Sequence, residues 1–155
     1  MSRIPDLGDA KNQFSKLPAL LKEYEDVLKG APADIKIEGK RLEVSNREQA
    51  SLHSFYDERR VELKIVVEYL EAHVAKVRGN LFNSFKINHS IDFTDRGINE
   101  LINRDETYLQ AYELLLEVKE VYEKYVSVVD AFQARGFALR NITQIRVAAL
   151  EDVII

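Results

Sequence analysis

Apolar residues recur in this chain at steps of three and four along two long stretches. Leu63, Val67, Leu70, Val74, Val77 and Leu81 make one seam, and Ala111, Leu114, Val118, Val121, Tyr125, Val128 and Phe132 make the other. Such spacing keeps an apolar stripe on one side of a helix. The pattern predicts one long helix from Ser45 or Asn46 to about Phe85, and a second from Asp105. Ser45 and Asn46 are good N-caps, and Glu48 completes a capping box with Ser45. Asp105 and Glu106 suit the positive end of the second helix. Leu115, Tyr122 and Val129 widen its stripe beyond what a two-stranded coil needs.

Shorter elements flank these two. Leu21, Tyr24 and Leu28 form a stripe after Pro18, so a short helix is expected there with Gly30 as its C-terminal cap. Ile35 and Ile37 alternate with Lys36 and Glu38 before Gly39, which predicts a short strand or an extended linker. The segment from Phe85 to Gly97 reads as a connection, followed by a short helix around TDRGINELINR. Gly136 is expected to break or cap the second long helix, after which Ala138, Ile142, Ile145 and Ala149 stripe a final one. The predicted fold is all-α: a long helical hairpin with short additional helices and a C-terminal helix. Residues 1–45 read as an N-terminal extension and residues 46–155 as the main helical domain.

Composition narrows the chemistry. The chain has no cysteine, which excludes disulfides and thiolate catalysis. His53, His73 and His89 lie too far apart for an i, i+4 metal pair. No phosphate loop, nucleophile elbow or paired-carboxylate signature is present, so neither an enzyme nor a cofactor is expected. No apolar run is long enough to cross a bilayer and no secretory signal opens the chain, so a cytoplasmic protein without a membrane partner is expected.

Charge is segregated along the chain more than its net value of −4 implies. From Asp105 to Asp130 seven acids face only Lys119 and Lys124. Residues 72–91 contain no acid but hold Lys76, Arg78, Lys86, Phe82, Phe85 and three asparagines. Residues 131–150 are also acid-free and carry Arg135, Arg140 and Arg146. Cations with interleaved aromatics and amides suit a single-stranded nucleic acid, since cations release counterions from phosphates and aromatic faces stack on unpaired bases. Arg60 and Arg78 lie five helical turns apart and share a side with Lys64, whereas Lys76 and Arg78 are about 200° apart. The plainer alternative is a solvated basic face, with Phe82 and Phe85 in the core. The tail raises a parallel question, because a chain ending in Val153, Ile154 and Ile155 needs something to hold it.

Three stretches bear a resemblance to one family. AHVAKVRGNLF resembles a Leu-Lys-Ala-Arg-Leu segment, SLHSFYDERRVELK a charged entry into the main helix, and VDAFQARGFALRNITQIRVAALED the Arg-Gly-Phe close of the UvsY family of phage recombination mediators. The likeness runs over about residues 34–152; residues 1–33 have no counterpart, and Gly79 and Asn80 replace a leucine and an acid. The resemblance implies a non-enzymatic protein that binds single-stranded DNA without sequence preference and assembles into a closed homo-oligomeric ring. It implies that the protein loads a RecA-like recombinase onto strands covered by single-strand-binding protein, in the host cytoplasm of a phage. On this reading Lys76 and Arg78, supported by Lys86, Arg60 and Lys64, contact DNA. Arg135, Gly136 and Phe137, with Leu139, Ile142 and Ile145, serve oligomerisation. The alternative is a helical scaffold that does not bind DNA.

Overall fold

The computed structural model describes residues 5–8, 13–88 and 93–152, the side chains of 150–152 excepted. Val153, Ile154, Ile155 and His89 therefore lie outside the described residues. Described residues form helices only: α1 (Leu17–Leu28), the single turn α2 (Ala31–Ile35), α3 (Leu42–Asn88), α4 (Asp95–Ile102) and α5 (Glu106–Asp152). They fall into two compact units, one built on Glu62–Tyr122 and the other on Asp6–Val61 with Glu123–Ile155.

In the first unit the later part of α3 runs antiparallel to the first part of α5, with α4 beside them. Lys119 reaches Glu71 at 2.6 Å, and Arg78 reaches the Tyr108 hydroxyl at 3.4 Å. Leu63, Val66, Val67 and Leu70 of α3 are buried, as are Ala111, Leu115, Val118 and Val121 of α5. Farther along the first seam, Val74, Val77 and Leu81 are only half-buried. In α4 the Thr94 hydroxyl accepts from the Gly97 amide at 3.2 Å, the N-cap that frees the helix to bury Ile98 and Ile102 four residues apart.

In the second unit α1 and α2 join the start of α3 and the end of α5. Tyr56, Tyr125 and Phe132 are buried at its centre, with Tyr56 stacked on Phe132 at 5.2 Å and Tyr24 edge-on to Tyr125 at 5.7 Å. Each such pair contributes about 0.5–1.5 kcal/mol beyond its buried area. The polar ends are satisfied: Tyr125 Oη donates to Tyr24 O at 2.9 Å and Tyr56 Oη to Asp34 Oδ2 at 2.8 Å. Burial first, and the bond to Asp34 second, hold the Tyr56 phenol well above its usual range.

Four local expectations are corrected. Ser45 does not cap α3, which begins three residues earlier; the Ser45 amide donates to Arg41 O and its side chain is buried. Of the strand or extended linker expected at Ile35–Ile37, no strand forms among the described residues, and the extended linker starts only at Lys36. Pro32 and Asp34 instead open the turn α2, and the chain extends at Lys36 before Gly39 takes a φ of 78° that favours glycine. Gly30 is not a left-handed cap but the residue preceding α2, at φ −80°. Gly136 does not interrupt α5, so the expected C-terminal helix is the end of one 47-residue helix. There the glycine serves close approach: a Cβ on it would lie 3.1 Å from Gln49 Nε2.

Candidate nucleic-acid interface

The acid-free part of α3 lies wholly in the first unit, and helix geometry sorts its residues. Lys76, Asn80, Asn83 and Ile87 follow one another at i, i+4, i+7 and i+11, so they share a face. All four are exposed, and Ile87 retains 80% of its accessible surface. Lys86 stands at the edge of that face, 3.7 Å from Asp95 Oδ1 and 5.5 Å from the Phe82 ring. Gly79 leaves the same surface open, with no atom within 4 Å of where its Cβ would be. Phe82 and Phe85 are half-buried.

Arg78 points elsewhere. It is half-buried, donates to Asn99 Oδ1 of α4 at 3.0 Å, and sits 5.5 Å from the centre of the Tyr108 ring of α5. It thus ties three helices together, and the predicted Lys76–Arg78 pair does not converge on one surface. Lys64 is exposed and 3.9 Å from Glu68. Arg60 belongs to the other unit, where it pairs with Asp57 at 2.7 Å. Lys76 has no ion pair among the described residues. Its charge is felt by His73, whose pKa is lowered by burial first and by Lys76 second.

The second acid-free window divides in the same manner. Arg135 is 3% exposed and donates to Ile35 O at 3.1 Å, Ser45 O at 3.3 Å and Gln49 Oε1. The first of these carbonyls closes α2, one of the orphan acceptors that any helix end leaves. Gln49 in turn donates to Phe132 O at 2.6 Å, so one arginine and one glutamine knit α2, α3 and α5. Arg135 Nη2 and Ser45 Oγ are buried with no partner among the described residues. Leu139 is buried and Ile142 half-buried, whereas Phe137 and Ile145 are 62% and 67% exposed. Of the six residues assigned to oligomerisation, therefore, Arg135 and Leu139 face inward and Phe137 and Ile145 face solvent.

Sequence reasoning missed two exposed features. Arg59 lies 3.7 Å over the exposed Phe55 ring in the second unit. Leu109, Tyr112 and Leu116 remain more than 40% exposed on α5, at helical spacing but off the main seam. Their step of three and four was a readable signal. Among the described residues no group of acidic or histidine side chains is placed to hold a metal ion, and no helix is long and apolar enough to cross a membrane. The open hollow lined by Lys22, Glu25, Asp26, Lys29 and Lys124 carries both signs of charge and favours neither kind of ligand. No protein-family model, curated protein or solved structure matches this chain.

Proposed function

We propose that this chain is a non-enzymatic recombination mediator of the UvsY type. It binds single-stranded DNA without sequence preference, self-assembles, and promotes loading of a RecA-like recombinase onto strands covered by single-strand-binding protein. The observation that carries the DNA reading is the exposed, acid-free face of α3. Lys76 and Lys86 there meet phosphates while Asn80 and Asn83 offer amide groups beside them. Arg78 acts in this reading as the strut that fixes α3 rather than as the main phosphate contact. A patch of two lysines is weak in one subunit. Repeated around a homo-oligomeric ring, it becomes polyvalent, and effective concentration supplies the avidity.

The Arg-Gly-Phe close of the sequence supports the assembly reading through Phe137 and Ile145, which keep large apolar areas in solvent. The test is fluorescence anisotropy of a labelled oligo-dT strand from low to high salt. Affinity falling steeply with salt is the expected result, followed by faster recombinase filament formation on strands covered by single-strand-binding protein. Absence of binding at low salt sinks the reading. It would leave the alternative of a helical scaffold, which the intrachain partners of Arg60, Lys64, Arg78 and Lys86 favour.

A further inference from the structure

We infer that the exposed stripe Leu109–Tyr112–Leu116 of α5 is the docking surface for the arginine-bearing end of α5 from a second copy of this chain. This rests on the self-assembling half of the reading above and not on its DNA half. The three residues step by three and four, which confines them to an arc of about 60°. They are 41%, 41% and 47% exposed. Tyr112 is braced by Tyr108, whose ring is stacked on it at 6.0 Å, so the stripe presents a rigid aromatic anchor of the kind that dominates interfaces. Glu106, Glu113 and Glu117 flank one side of the stripe, and all three are exposed. This surface is apolar at its centre and anionic along one rim.

The chain carries the complement. Thr143 is bonded to Asn46 of α3 at 3.2 Å, and beyond it every residue from Gln144 to Ala149 is exposed. That last segment holds Ile145 at 67% and Val147 at 49% exposure, with Phe137 at 62% two turns earlier. Arg140 and Arg146 are its charges, Arg140 lying 5.7 Å from the Phe137 ring, and no acid occurs between Ala131 and Leu150. Pairing like with like sets arginine against arginine or glutamate against glutamate, which costs stability and selects against that partner. Pairing unlike surfaces satisfies both. The apolar residues then supply affinity while the charges fix register. A contact between two different surfaces is heterologous, and such contacts propagate until rotation closes them into a ring.

Two charge reversals of the full chain test this, Glu113→Arg with Glu117→Arg, and Arg140→Glu with Arg146→Glu. Sedimentation velocity is expected to show assemblies for the wild type. Each reversed variant should move toward the 17.9 kDa monomer, with assembly weakened at least about tenfold. Mixing the two variants should restore assembly, because the basic stripe of one now meets the acidic tail of the other. Circular dichroism checks that each variant keeps its helix content. If one loses it, Leu116→Ser replaces the stripe arm or Ile145→Ser the tail arm: loss of assembly supports the inference and unchanged assembly overturns it. A monomeric wild type, reversed variants that assemble normally, or a mixture that stays dissociated each overturns the inference. Oligo-dT anisotropy on the same samples separates the two readings: assembly through this stripe without DNA binding removes only the DNA function.

Discussion

The two acid-free windows look alike in sequence and are used differently in the fold. The window of α3 keeps one face in water, with Lys76, Asn80, Asn83 and Ile87 exposed, and commits a single cation, Arg78, to packing. The window of α5 commits Arg135 far more deeply, to three acceptors of which none is a carboxylate, and releases Arg140 and Arg146 to solvent. A basic residue in a motif is therefore not one kind of evidence. Exposed cations bear on partners, whereas buried ones bear on which helices stay together.

Replacing the anchors should widen that contrast most. Arg135→Met is expected to destabilise the protein by about 2–4 kcal/mol, because the Ile35 carbonyl and the Gln49 amide lose a charged donor in a dry site. Arg140→Met and Arg146→Met should stay within about 0.5 kcal/mol. Urea midpoints measured on the three variants decide between them. Next in size, Arg78→Met should cost about 1–2 kcal/mol by the same measurement. Lys76→Ala should leave stability unchanged but weaken oligo-dT binding and reduce its salt slope by about one. Equal losses of stability at positions 76 and 78 would erase the distinction between strut and contact.

The glycines sharpen the comparison. Gly79→Ala has free space around its new methyl group and should raise stability by about 1 kcal/mol through helix propensity alone. At Gly136 the same gain is opposed by displacement of Gln49, which Arg135 and Phe132 hold in place, so Gly136→Ala should raise the thermal midpoint less.

The smallest effect concerns pH. His73 has its pKa lowered in the folded chain, so the unfolded chain takes up its proton first as pH falls below about 6.5. Stability contributed by neutral His73 is then full above that value and is lost as pH drops through the folded pKa. His73→Gln should flatten the decline of the urea midpoint between about pH 7 and 5.

Much of the architecture was legible because the apolar period is strong. Both seams, α1 and the short helix α4 lie where the apolar spacing places them, whereas the Thr94 cap of α4 was not read in advance. What escaped were positions where a local signal and a tertiary demand compete. Ser45 carries the chemistry of a cap yet is buried one turn inside α3, and Gly136 looks like a stop yet admits Gln49. Ile35 and Ile37 alternate like a strand, but Pro32 starts a helical turn just before them. In the candidate interface the helical phase separated Lys76 from Arg78 correctly. Sequence could not say which of the two faced inward, because Asn99 and Tyr108 approach Arg78 from other elements. The exposed stripe at Leu109 was hidden by the stronger seam beside it.

Sequence separation gives the second unit a further property. Tyr125 meets Tyr24 across 101 residues, and Arg135 meets Ile35 across 100. The first unit is drawn almost entirely from one continuous stretch, Glu62–Tyr122. On a ribosome adding about 5–20 residues per second, Tyr24, Ile35 and Tyr56 emerge several seconds before their aromatic and arginine partners. Contacts between distant segments also close more slowly than local ones. The chain should therefore mature in order, with the middle helices settling first. The beginning of the chain stays unfinished, its apolar side chains open to chaperones, until almost the last helix has been made.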